Sequence, residues 1–248
     1  MVNAQRVGSL HSIETLGTVD GGGIRFVIFL QGCAMRCEFC HNPDTWLKNG
    51  QQITVAELMA QILDYRVYYE ASGGGVTVSG GEPLLQSDFV MALFSECGRE
   101  GIHRVLDTSG YCRHGKFQHV LGETERVLFS IKVINNQKHI ALTSVGNEMI
   151  LANLHLAAAS STELVIRYVL IPGINDQDHD LRDLIGVIRD LGSNLEVDVL
   201  PYHRMGIAKW EQLGLEYSLK GIPEPTPLEI EQVRNRLADA QIKLTRYS

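Results

Sequence analysis

Three of the chain's five cysteines, Cys33, Cys37 and Cys40, crowd into one short segment, while Cys97 and Cys112 stand alone. Three thiolates at spacings of four and three can wrap one centre but leave a tetrahedral site one ligand short. Structural zinc closes all four positions, normally with cysteine pairs two to four apart and a second pair further on. His41 is a conceivable fourth zinc ligand, but its adjacency to Cys40 makes that geometry awkward. An iron–sulfur cubane held by three cysteines instead leaves one iron open to an exogenous ligand, and an open iron signals catalysis rather than storage. Cys97 and Cys112 read as buried thiols acting as small hydrophobes.

The elements that must carry these cysteines are legible as alternation. Short β-branched or aromatic runs at 24–30, 75–78, 103–106, 127–133, 164–170 and 195–200 predict strands. Helical patterns lie between most of them. Thr54 and Glu57 form a capping-box pair opening a helix towards Tyr69, and Thr226-Pro227-Leu228-Glu229 opens the last helix. Asp178 or Asp180 is expected to cap a helix ending near Leu191, and Ser87-Asp88 one ending near Cys97. In residues 113–147 helix and strand signals compete. Strands alternating with helices imply parallel βα units, and six of them can curl into an open, TIM-like partial (β/α)6 barrel of the α/β class. Cys33, Gly80-Gly81-Glu82, Asp107, Lys132, Pro172 and His203 each follow one strand, so all fall on the rim where barrel-type sites are built.

Composition narrows the partners. The chain has 248 residues, 44% hydrophobic, with a formal charge of −7. Without a repeat or a Pro/Ser-rich linker, 1–248 reads as a single domain. A mildly acidic chain with no basic tract lacks the footprint of a phosphate-backbone binder, which argues against nucleic acid. Its apolar runs stop short of the ~20 residues that span a bilayer. The first ten residues carry no secretory apolar stretch, so the cytoplasm is the expected compartment.

The Cys-x3-Cys-x-Phe-Cys pattern resembles the signature of radical S-adenosylmethionine enzymes, and its surroundings resemble the activating enzymes of glycyl radical enzymes. The supporting segments are Asp20-Gly21-Gly22-Gly23-Ile24-Arg25, Cys40-His41-Asn42-Pro43-Asp44-Thr45-Trp46, Ser79-Gly80-Gly81-Glu82, Leu106-Asp107-Thr108-Ser109-Gly110, Ile166-Arg167-Tyr168 and Leu200-Pro201-Tyr202-His203 with Lys209-Trp210. The resemblance implies the partial barrel of that superfamily. It also implies a [4Fe–4S] cluster on Cys33, Cys37 and Cys40, with the fourth iron chelated by S-adenosylmethionine. Gly80, Gly81 and Glu82 match the segment meeting the methionine amino group, Phe39 and His41 the adenine contacts. Asp107, Lys132 and His203 match positions near the ribose and carboxylate, Asp20 and Arg167 positions meeting a substrate peptide. The chemistry implied is reductive cleavage of S-adenosylmethionine to a 5′-deoxyadenosyl radical that takes a glycine Cα hydrogen. The implied partners are a glycyl radical enzyme of the pyruvate formate-lyase type and flavodoxin or ferredoxin as electron donor, with the chain acting as a monomer.

Each residue also has a plainer reading. Gly80-Gly81 can be only a turn, Glu82 a solvated charge, His203 a structural histidine, Asp20 a support for the glycine turn, and Arg167 the partner of an acid on a neighbouring strand. Trp46 and Trp210 read as packing residues. Two positions depart from the family. Gly22 stands where relatives carry proline, which leaves that loop less pre-ordered. Ser130 stands where relatives carry an aspartate that helps hold a monovalent cation, so either that cation site is weakened or another group compensates. The rival readings of the whole are a radical enzyme acting on a small molecule and a metal-binding module without turnover.

Overall fold

The computed structural model describes residues 4–47, 49–192 and 195–245. The strands are β1 (Val7–Gly17), β2 (Arg25–Leu30), β3 (Gln51–Thr54), β4 (Gly75–Gly80), β5 (His103–Thr108), β6 (Arg126–Ile131), β7 (Glu163–Leu170) and β8 (Leu195–Pro201). They form one sheet in the order β3-β1-β2-β4-β5-β6-β7-β8. From β2 to β8 every neighbouring pair is parallel, six strands in all, as a partial barrel requires. β1 and β3 add an antiparallel flap in which Leu10 pairs with Leu30 on one side and Gln51 on the other. The flap was missed in the sequence. β1 alternates exposed polar residues such as Glu14 with half-buried ones, and β3 is only four residues long.

The helices are α1 (Val55–Asp64), α2 (Arg66–Ser72), α3 (Ser87–Arg99), α4 (His114–Leu121), α5 (Asn136–Thr143), α6 (Glu148–Ala158), α7 (Asp178–Leu191), α8 (Ile207–Gln212) and α9 (Pro227–Asp239). Both capping boxes form as expected, at Thr54 and at Thr226, the second with proline in the first turn. α1 stops at Tyr65 and α2 restarts, so the helix expected to reach Tyr69 is two. Gln177 and Gln86 occupy the N-cap positions assigned to Asp178 or Asp180 and to Ser87-Asp88, and α3 runs to Arg99. Asp180 is instead fully buried and paired with Lys138 of α5, at 2.7 Å. The ambiguous stretch resolves into α4, β6 and α5.

The outward faces of the strands (Val76, Val78, Phe129, Ile166, Tyr168) pack under the helices in one large core that includes Cys97 and Cys112. Burial of each such side chain contributes roughly 1.5–3 kcal/mol. The inward faces carry a small apolar layer, Val105, Leu128 and Val165. Above it lie Thr77, Asp107, Ser130 and Arg167. Asp107 and Gly80 belong to strands that run two residues longer than expected, so strand geometry rather than loop geometry fixes them.

Candidate active site

The C-terminal ends of the parallel strands surround a cavity of about 270 Å³. Cys33, Cys37, Cys40, Phe39 and His41 line one side, Gly80, Gly81, Asp107, Ser130 and Lys132 the other, and Asp20 the floor. The Lys132 ammonium stands 5.4 Å over the Phe39 ring. Three expected residues lie behind the wall. Glu82, only 1% exposed, accepts hydrogen bonds from Thr108 Oγ1 at 2.6 Å, Ser109 N at 2.9 Å and Leu84 N at 3.1 Å. It is therefore no solvated charge; burial pushes its carboxyl up in pKa, against the hydrogen bonds from Ser109 and Thr108. His203 reaches the cavity through His41, on which its ring stacks at 3.9 Å. Burial, then His203, lowers the His41 pKa. Arg167 meets the cavity through Asp20 and Asp107.

Residues 31–47 carry the cysteines away from the end of β2 and are held largely by their backbone. The N–H groups of Arg36 and Glu38 donate to Thr143 O (2.8 Å) and Leu142 O (2.9 Å) at the end of α5. Arg36 Nη1 donates to the carbonyls of Cys33 and Met35, both at 2.8 Å. Trp210 Nε1 donates to Cys40 O at 2.8 Å, and Lys209 Nζ to Asn42 Oδ1 at 2.7 Å. Trp210 thus does more than pack: 170 residues away in sequence, it fixes the last cysteine. All three thiols are free. Burial pushes Cys33 and Cys40 up to about 12 and raises Cys37 as well. The protein alone thus disfavours thiolates, and a bound cationic metal is what would stabilise them.

The floor is residues 19–22, and each of its four successive carbonyls is taken by a side chain. Arg167 Nη2 donates to Val19 O, Thr77 Oγ1 to Asp20 O at 2.7 Å, Arg126 Nη1 to Gly21 O, and Arg25 Nη1 to Gly22 O at 3.2 Å. Arg25 is fully buried, and its other partners are Thr77 Oγ1 and the carbonyls of Val76 and His103. Burial, then neighbouring Arg126, lowers its pKa to about 10. Gly22 has φ of +89°, which proline, fixed near −65°, cannot adopt. The loop's order comes from these tethers rather than from its own backbone.

The sequence profile of the Radical SAM superfamily matches residues 27–185. The chain belongs to that superfamily. It is 42% identical over 240 residues, 94% of this chain and 96% of the relative, to the pyruvate formate-lyase-activating enzyme of Listeria monocytogenes. It is 45% identical over 228 residues, 88% of this chain and 90% of the relative, to that of Staphylococcus epidermidis. A solved domain of a pyruvate-formate lyase-activating enzyme from Bacteroides vulgatus matches with TM-score 0.59 and 29% identity, covering 70% of this chain and 98% of that one. A radical SAM methyltransferase from Sphaerobacter thermophilus shares the fold, with TM-score 0.66 and 20% identity over 89% of this chain and 65% of that one.

Radical SAM proteins use a [4Fe–4S] cluster and S-adenosylmethionine, and the cavity fits both. Among the described residues no three His, Cys, Asp or Glu side chains converge on a single ion, which four zinc bonds of about 2.0–2.3 Å would demand. A cubane takes each thiolate on a different iron. A Cβ on Gly81 would lie 2.2 Å from Gly32 O, so glycine there lets the end of β4 rest directly against the cysteine loop. His203 Nδ1 and Trp46 Nε1 are buried beside the cavity with no hydrogen-bond partner, the condition a polar ligand relieves. The monovalent cation fits less well. Ser130 lines the cavity without charge, while Asp107 already accepts from Ser79 Oγ at 2.8 Å and lies 3.5 Å from Arg167 Nη1. The Arg167 guanidinium beside Asp107 is itself a cation, so it opposes a second one there and does not replace the missing carboxylate. Ser79, Ser109 and Trp210 stand in segments that carry the resemblance but were given no role in the site, because only strand register and tertiary packing show what they hold. No helix among the described residues is long and apolar enough to cross a membrane.

Proposed function

We propose that this chain activates a glycyl radical enzyme of the pyruvate formate-lyase type. The observation that carries the reading is the 42–45% identity, over most of the chain, to pyruvate formate-lyase-activating enzymes. When bound, the [4Fe–4S] cluster and S-adenosylmethionine supply a one-electron cleavage to methionine and a 5′-deoxyadenosyl radical, which takes a Cα hydrogen from a glycine of the partner. The chain's residues bind and orient. Cys33, Cys37 and Cys40 hold the cluster. Gly80 and Gly81 leave room beside it for the methionine end, and Glu82 acts there by bracing Thr108 and Ser109. Phe39, His41 and, through His41, His203 flank the adenine. Asp107 and Lys132 offer opposite charges to the cofactor's amino and carboxylate ends. Asp20 and Arg167 meet the glycine-bearing segment from the floor.

The same reading makes 1–248 one domain, working in the cytoplasm as a monomer and taking its electron from flavodoxin or ferredoxin. Electron paramagnetic resonance tests it. Anaerobically reconstituted protein, S-adenosylmethionine, a reductant and pyruvate formate-lyase should yield a glycyl radical and one 5′-deoxyadenosine per radical. Release of 5′-deoxyadenosine with no glycyl radical on that partner would sink the assignment.

A further inference from the structure

Arg167 is surrounded by more acid than the proposed function uses. Its Nη1 lies 3.5 Å from Asp107 and 3.8 Å from Asp20, both on the cavity wall. Its Nε points the other way and lies 3.7 Å from Asp198 Oδ2, too far for a hydrogen bond, and that N–H is buried without a hydrogen-bond partner. Asp198 stands directly opposite Arg167 in the β7–β8 register, so the two side chains leave the sheet on the same face. It is 9% exposed, and its other oxygen accepts from Thr245 Oγ1 at 3.2 Å. Thr245 is itself tied down, its N–H donating to Val197 O at 3.0 Å.

A guanidinium has a fixed fork, so gripping one edge aims the other. Here Nη2 donates to the Val19 carbonyl and Nε faces the Asp198 carboxylate across 3.7 Å, an ion pair without a hydrogen bond, and Nη1 is left facing the two cavity carboxylates. We propose that Asp198 is a positioning residue for Arg167: it holds the back edge of the guanidinium so that Nη1 is presented to the incoming glycine segment. The plain alternative, a strand-to-strand ion pair for stability, leaves the aim of Nη1 without consequence. The proposal rests on the peptide-facing role given to Arg167 above.

Four variants test it: Asp198→Asn, which keeps the shape and removes the charge, Asp198→Glu, which restores it, Arg167→Lys, and Asp198→Asn combined with Arg167→Lys. Each is loaded with cluster and mixed with S-adenosylmethionine, reductant and pyruvate formate-lyase. In Asp198→Asn, cluster content and 5′-deoxyadenosine formed without the partner should stay within about twofold of the wild type. Glycyl radical formed per 5′-deoxyadenosine should fall roughly tenfold, since small misplacements of an orienting group cost that order of rate. Asp198→Glu should recover part of the ratio, and Asp198→Asn should add nothing once Arg167 is lysine. A proportional loss of cluster, cleavage and radical, or additive effects in the double variant, would overturn the proposal in favour of a structural pair. A crystal structure of Asp198→Asn decides the matter independently of the partner. A guanidinium turned off the Asp20–Asp107 side supports positioning, and one left in place refutes it. Should wild-type protein give no glycyl radical at all, the activase reading fails while the crystallographic arm still judges Asp198.

Discussion

Two irregular segments meet at the cavity, and the chain stabilises them by different means. Residues 31–47 are pinned mostly through their backbone, by the end of α5, by Trp210 and by Arg36 within the segment, with Lys209 holding the Asn42 side chain, which leaves three thiols unengaged. Residues 19–22 are pinned by three arginines and a threonine on consecutive carbonyls, which leaves no backbone acceptor of the four idle. The first segment is finished only when a metal arrives. The second is complete in the protein itself. A loop that must receive a cofactor keeps its reactive groups spare, whereas a loop that must resist deformation surrenders every acceptor to rigid neighbours.

The sharpest break in that comparison is at the sulfurs. Cys33→Ala, Cys37→Ala or Cys40→Ala should abolish cluster binding, read as loss of iron, sulfide and visible absorption, because two thiolates hold a cubane poorly. Cys97→Ala and Cys112→Ala, which alter only the core, should keep it. The floor should break at its buried cation instead. Arg25→Met leaves the Gly22, Val76 and His103 carbonyls short of a donor, a loss of about 3 kcal/mol that lowers the melting temperature by roughly 6–12 °C. A normal melt for that variant would mean the tethers are dispensable.

Smaller effects sharpen the contrast. Gly22→Pro demands a φ the floor does not have, so it should lower the melting temperature by roughly 5 °C. An unchanged melt would show that the floor can relax to the proline-bearing form of its relatives. Trp210→Phe keeps the edge-to-face contact with Trp46 and removes one hydrogen bond to Cys40. Losing that bond, worth about 1 kcal/mol, should speed iron loss to a chelator roughly fivefold. The smallest effect belongs to Ser130→Asp, which adds one carboxylate beside Asp107. Sodium or potassium at constant ionic strength should then strengthen S-adenosylmethionine binding by about two- to threefold more than in the wild type. Equal cation dependence in the two proteins would remove Ser130 from the site.

The same contrast separates what could be read in the sequence from what could not. The cysteine loop was legible because its ligands lie close together in the chain and their spacing is itself the chemistry. The six parallel strands were legible as β-branched runs, and with them the rim. The floor showed only as a row of glycines, since its donors come from β2, β4, β6 and β7. Arg167 could be foreseen as the partner of some acid on a neighbouring strand. That the acid is Asp198 depends on the β7–β8 register, which no local pattern encodes. The plainer reading of Glu82, a solvated charge, falls only to the structure, because a glutamate after two glycines carries no sign of the Thr108 and Ser109 hydroxyls that enclose it.

The double pairing of Leu10 bears on how the cysteines come to be gathered at all. Leu30 and Gln51, the two ends of the cysteine segment, are both ladder partners of this one residue. With strands about 4.8 Å apart, those ends are held roughly 10 Å from each other. Closing a flexible segment of this length costs about 3 kcal/mol of chain entropy. The antiparallel flap meets that cost through its own hydrogen bonds before any iron is present, so cluster affinity need not be spent on drawing the segment together.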